Sequence, residues 1–257
     1  MIHKGAVIHP TCEIADSAEI APGAYIGEHC VIKENVKVGY NAVIQSHTTV
    51  GEGTVVCSNA HIGGDPQDYS FSGEDTKLII GKNCVIREFA TIHRASTKED
   101  VWETVVGDNC FLMAYAHVGH DCKIENNITM TSYASLGGHC RVGSYVVFGG
   151  YAACHQFVRV GTGVMLGGRA SVTKDIPPFV MYAGTPTAIE GLNSIGLKRR
   201  GAKPEVRAEI KRALNIYQDL NIKLADLPDK LAGLQQFDEI KTFIDFLQDS
   251  KRSFTRR

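Results

Sequence analysis

The residues best suited to chemistry in this chain are histidines at corresponding places in a repeat. His120, Gly138 and Gln156 are separated by eighteen residues each time. His139 and His155 lie one position to either side of that series, and His117 precedes His120 by three. Four of the ten histidines therefore fall into one short register. Three kinds of chemistry suit such a cluster: solvated surface imidazoles, a metal site, or a general base. A zinc site needs three convergent imidazoles and an open position, and the carbonic anhydrases built on similar coils space paired ligands five apart, a spacing missing here. The sequence is thus read without a metal. A neutral imidazole can take a proton from a hydroxyl near neutral pH. Asp121, adjacent to His120, could orient the ring and stabilise the imidazolium. The backbone N–H of Gly138 is a candidate oxyanion donor. Base and oxyanion donor together are the equipment of acyl transfer.

Those residues can meet only if residues eighteen apart become neighbours, and the apolar pattern predicts that they do. Every sixth residue from Val106 to Val172 is apolar, including Leu112, Val118, Ile124, Met130 and Leu136. Four residues after each sits a second inward type, mostly small, such as Cys110, Ala116, Cys122 and Ala134. The same period runs through Ile8, Ile14, Ile20, Ile26, Ile32, Val38, Ile44, Val50, Val56 and Ile62. Period six is neither the alternation of a strand nor the 3.6 of a helix. It predicts short strands joined by corners, three to a coil, with coils stacked about 4.8 Å apart. Ala116 and Val118 then face inward and His117 outward. Glycines after the apolar residue, as in Val118-Gly119, are expected at the corners, where unusual backbone angles are needed.

Two insertions, 64–77 and 94–104, break the period and are expected to leave the coil as surface loops. The coil region is assigned to residues 1–187, ending near Asp175-Ile176-Pro177-Pro178, because proline cannot continue a strand ladder. Residues 188–257 are expected to form a helical domain capping the last coil. One helix opens at Pro204 with Val206, Ile210, Ala213, Tyr217 and Leu220 on one face, and a later one carries Ile240, Phe243, Ile244 and Leu247.

A net charge of −1 gives no general attraction to nucleic acid or anionic membranes. No apolar run is long enough to span a membrane and no secretory leader is apparent. Six of the eight cysteines fall at the small inward position, as buried thiols in a reducing cytoplasm would.

At these residues the chain resembles, over essentially its whole length, the UDP-N-acetylglucosamine O-acyltransferases of lipid A and lipopolysaccharide synthesis. The likeness is carried by the hexapeptide repeats, His117-Val118-Gly119-His120-Asp121-Cys122, Gly138-His139, His155-Gln156-Phe157, and Asn193 through Leu197-Lys198-Arg199-Arg200-Gly201. It implies an all-β left-handed parallel β-helix, an exception to the right-handed crossover rule, followed by a small helical domain. It also implies a cytoplasmic homotrimer with active sites between subunits. The implied reaction moves a (R)-3-hydroxyacyl chain from the 4'-phosphopantetheine thioester of acyl carrier protein to the glucosamine 3-position, with no other cofactor. His120 would be the general base, Asp121 its orienter and Gly138 the oxyanion donor. Asp68, His117, His139, His155, Gln156, Asn193 and Arg200 would hold the UDP-sugar, while Lys198 and Arg199 face the carrier protein. Met165 and Gly168 would gauge the acyl chain. Two positions depart from the family pattern: Ser70 stands where a phosphate-contacting lysine is common, and Ile195 where a glutamate is. The first opens a 3-amino sugar as acceptor. A coenzyme-A-dependent acetyltransferase and the N-acyltransferase later in the pathway are the rival enzymes, and a structural or ice-binding solenoid the rival class.

Overall fold

The computed structural model describes residues 1–249 and 253–256. The end of the expected helical region, 250–252 and 257, lies outside the described residues.

Short strands, mostly of two residues, recur every six positions and stack into three sheets of parallel coil strands, which form the left-handed parallel β-helix that the resemblance implies. The first sheet has nine strands, from Val7–Ile8 to Ser171–Val172, and contains His117–Val118. The second has eight, from Glu13–Ile14 to Arg159–Val160. The third has ten, starting at Glu19–Ile20. The eighteen-residue register is direct: His117 pairs with Ser135, which pairs with Ala153. Within nearly all of the two-residue strands the second residue is buried, and Ile26, Ile44, Ile62, Ile92, Val118 and Leu136 form a fully buried column. Each such side chain contributes about 1.5–3 kcal/mol. β-Branched residues suit this pleated packing.

The corner glycines act differently from expectation. The left-handed corner position belongs to Asp121, Tyr133, His139 and Phe157, at φ of 61° to 67°, three residues after the inward apolar residue. Gly119 is required by close approach instead. A β-carbon there would lie 2.8 Å from the Gly138 nitrogen and 2.9 Å from the Gly137 carbonyl carbon of the next coil. Five of the six inward cysteines are buried as expected, Cys12 on the first coil being half-buried, and their thiols also donate to corner carbonyls above, as from Cys122 to Gly137 O (3.2 Å) and from Cys140 to His155 O (3.2 Å).

The helical region begins later than residue 188. Val180–Ala183 and Ala188–Leu192 form an antiparallel hairpin that completes the third sheet and covers its upper end. Helices α1 (Ser194–Arg199), α2 (Pro204–Gln218), α3 (Leu227–Ala232) and α4 (Asp238–Gln248) follow. Pro204 opens α2, and Ile210, Ala213 and Tyr217 are buried on its inner face. Leu220 lies beyond that face, because the chain turns extended at Asp219, and it is half exposed. The final segment seals the cap: Phe254 bridges to Asp175, and Arg256 donates to the carbonyls of Tyr217 and Ile222.

Candidate active site

Both insertions leave the coil at the same corner. The first connects His61–Gly64 to Lys77–Ile80 and the second connects Thr91–His93 to Glu103–Val106; each passes from the first sheet to the second. His120 and Asp121 occupy that corner on the next coil, followed by Gly138-His139 and Gln156-Phe157. The vertical ladder is continuous, since His139 N–H donates to His120 O (2.9 Å) and Phe157 N–H to Gly138 O (2.9 Å).

Asp121 is the buried centre of the cluster. Its Oδ2 accepts from His120 Nδ1 at 2.6 Å and lies 3.4 Å from His139 Nε2. Because an ionised carboxylate can only accept, the short bond places a proton on Nδ1 of His120 and leaves Nε2 as the free base. Ser96, in the second insertion, donates its N–H to Oδ1 (2.9 Å) and its hydroxyl to Oδ2 (2.8 Å). Asp121 N–H donates to the buried Thr104 hydroxyl at 2.8 Å. The His139 ring stacks on Phe157, with centroids 4.4 Å apart, and meets His120 edge-on.

Gly138 lies over the free edge of the His120 ring: a β-carbon there would lie 2.8 Å from Nε2. Glycine thus leaves room for a reacting group next to the base. Among the described residues the buried Gly138 N–H donates to no protein acceptor, which suits a group waiting for a developing oxyanion. One ligand atom each from His120, Asp121 and His139 lies within 4.8 Å of the others, a grouping that the linear spacing of the histidines conceals. In this structure the carboxylate at its centre is already engaged by Ser96 and the imidazoles.

His117 points outward one strand before the corner, as expected, and its Nδ1 pairs with the Thr91 hydroxyl at 2.8 Å. Burial, reinforced by His93 and His120, pushes its pKa down to about 4, so it is a neutral group at working pH. Asp68 is held at about 2, first by the Ser70 N–H and hydroxyl, with Lys98 also contributing. Lys98 Nζ stands 3.4 Å from Asp68 Oδ2. His155 and Gln156 are exposed one coil above Gly138.

The other expected site residues lie elsewhere on the same chain. Asn193 caps α1, accepting from Gly196 N–H, and its amide donates to Gly163 O at 2.9 Å on the corner between the second and third sheets. Arg200 packs there against the Tyr145 and Phe179 rings, 5.1 and 5.5 Å from the centroids, and its buried Nη2 has no hydrogen-bond partner among the described residues. Lys198 and Arg199 are exposed nearby. Met165 lies on the outer face of the third sheet, and Gly168 on the corner that follows. Ser96, Thr104, Thr91 and Lys98 were not anticipated from sequence. The irregular 94–104 insertion broke the period without marking which of its residues turn inward.

A coil of hexapeptide turns with a histidine–aspartate pair on its outer wall defines a hexapeptide-repeat transferase. The bacterial transferase hexapeptide model matches residues 29–64 and 103–130, and the model for domain 2 of UDP-N-acetylglucosamine O-acyltransferase matches 175–255. The acyl-(acyl-carrier-protein)–UDP-N-acetylglucosamine O-acyltransferase of Thermodesulfovibrio yellowstonii is 41% identical over 99% of both chains, and that of Paraburkholderia xenovorans 39% over the same share. The crystal structure of LpxA, a UDP-N-acetylglucosamine acyltransferase from Bacteroides fragilis, superposes with a TM-score of 0.95 at 35% identity over the whole of both chains. The Campylobacter jejuni enzyme gives 0.92 at 36%, again over both full lengths. This chain belongs to the UDP-N-acetylglucosamine O-acyltransferase family.

Proposed function

We propose that this chain transfers a (R)-3-hydroxyacyl group from the phosphopantetheine thioester of acyl carrier protein to the 3-hydroxyl of UDP-N-acetylglucosamine, the first step of lipid A synthesis. The observation that carries the mechanism is the short His120–Asp121 bond beneath Gly138, whose N–H donates to no protein acceptor among the described residues. His120 Nε2 takes the proton of the sugar hydroxyl as its oxygen attacks the thioester carbonyl. The tetrahedral oxyanion forms against the Gly138 N–H. When the intermediate collapses, the C–S bond breaks and the imidazolium returns its proton to the departing thiolate. Asp121 steadies the imidazolium between the two transfers. A positioned base is worth about 10²–10⁴-fold, and an oxyanion donor a further ~10²–10³.

The working site is composite in this reading. Asp68, His117 and His139 lie on the histidine corner, whereas Asn193 and Arg200 lie on the next corner of the same chain. A neighbouring copy would bring the second set to the first, as a homotrimer does. The outer face of the third sheet supports this: above Glu19 and Lys37, the outward positions are Val55, Val85, Phe111, Thr129, Val147 and Met165, mostly apolar where a solvated face would be polar. That apolar stripe, with Met165 and the open position at Gly168, is suited to an acyl chain lying between subunits. His155 and Gln156 would complete the sugar site from above. Exposed Lys198 and Arg199 would meet the acidic carrier protein. Among the described residues no helix is long and apolar enough to cross a membrane, and both substrates belong to the cytoplasm.

Mass spectrometry of products made from UDP-N-acetylglucosamine and its 3-amino analogue, with hydroxyacyl carrier proteins of mixed length, tests the assignment. An alkali-labile ester on the first sugar is expected. Acylation of the amino sugar alone would replace the acceptor, and transfer only from acetyl-CoA would replace the donor.

A further inference from the structure

Alternate residues of one short stretch hold three aspartates on the histidine corner. Arg94 donates to Asp65 Oδ1 through Nη2 (2.7 Å) and Nε (3.1 Å), Lys98 reaches Asp68, and Ser96 between them holds Asp121. Arg94 and Ser96 lie on the irregular chain that follows Thr91–His93, and Lys98 opens the 3-10 turn Lys98–Asp100. Asp65 and Asp68 belong to the first insertion, and Asp121 to the catalytic pair. Ser96 is 2% exposed and Asp121 3%. The direction of the Ser96 proton is set by its surroundings: its oxygen accepts from Lys98 N–H at 3.2 Å, and the carboxylate can only accept.

We infer that Ser96 is a positioning residue for the transfer reaction, acting through Asp121, and that the 94–98 stretch ties the substrate loop to the catalytic pair. Two donors from one residue, one on each carboxylate oxygen, fix the plane of the Asp121 carboxylate. Oδ2 is thereby aimed at His120 Nδ1, and Nε2 at the space under Gly138. Without the hydroxyl the carboxylate keeps its charge and burial but loses one of the donors that orient it. The same backbone carries Arg94 and Lys98, so order in the 64–77 loop and alignment of His120 depend on one segment. This inference rests on the reading of His120 as the general base.

The test is a double-mutant cycle of Ser96→Ala and Asp121→Asn, with His120→Ala as reference, assayed with hydroxyacyl carrier protein and UDP-N-acetylglucosamine. A buried hydrogen bond to a charged group is worth roughly tenfold or more. Ser96→Ala should therefore lower kcat by about that factor, with KM for the sugar within about twofold. In the Asp121→Asn background the same substitution should cost less than about twofold, because residues acting as a unit are not additive. Ser96→Thr keeps the hydroxyl and should exceed the alanine variant in kcat; it also stands in where the alanine variant does not fold. Equal losses in both backgrounds, a loss confined to KM, or a threonine variant no better than alanine would overturn the inference. Near-native turnover by His120→Ala would remove the general-base reading itself, whatever Ser96 does.

Discussion

Gly138 sits on the His120 imidazole so closely that a larger residue must displace the ring: its β-carbon would lie 2.7 Å from the ring Cε1. The contact joins two coils through residues eighteen apart in sequence. Gly138→Ala should displace the ring and fill the space for the reacting carbonyl, lowering kcat by at least about a hundredfold. Its melting temperature should stay within a few degrees of native, because the clash falls on a partly exposed side chain. Steady-state kinetics and a melting curve check both halves of the expectation.

His117 should make stability depend on pH. In the folded protein it takes up a proton only near pH 4, whereas an unperturbed imidazole does so near 6.5. Between those values the unfolded chain binds more protons, so the folded state loses stability as pH falls through that window. The loss is at most about 3 kcal/mol, and less after solvent screening. Urea midpoints at pH 6.5, 5.5 and 4.5 should fall more steeply for the native protein than for His117→Gln.

Lys98 is the cation brought to Asp68, whose neighbour at position 70 is a serine that holds the carboxylate by two hydrogen bonds. If the loop meets the UDP-sugar, Lys98→Ala should raise its KM by roughly five- to tenfold and leave kcat within about twofold. Initial rates over a range of sugar concentration distinguish this from a loss in kcat.

Gly168 is exposed, and a β-carbon there would meet only Gly150 O, at an ordinary 3.5 Å. A larger side chain is therefore tolerated by the coil but intrudes on the space beyond Met165. Gly168→Met should shift the preferred donor to a shorter acyl chain, read from product masses in a mixed donor pool, with no loss of thermal stability.

Much of the fold was legible because a six-residue period is a strong regular signal. The inward column, the outward His117 and the stacking of His120, Gly138 and Gln156 all follow from it. Three features carried no such signal. The corner geometry is shared between two residues, so Gly119 was credited with the backbone angle that Asp121 adopts, when its own role is to let Gly138 approach. The hairpin at 180–192 lies between two regular patterns and matches neither. The contacts of Arg94, Ser96 and Lys98 join two irregular insertions to a corner 25 to 30 residues away in sequence, and no local periodicity encodes such pairings. The same distance explains why Asp121 was legible as a neighbour of His120 while its other donors were not.

The most direct measurement is turnover by His120→Ala with hydroxyacyl carrier protein and UDP-N-acetylglucosamine, alongside its melting temperature and subunit mass. The account predicts a loss of about 10²–10⁴-fold in kcat with the native fold and assembly retained. Turnover near the native rate in that folded variant would contradict it, because among the described residues no other imidazole on the corner combines a short carboxylate bond with a ring edge under Gly138.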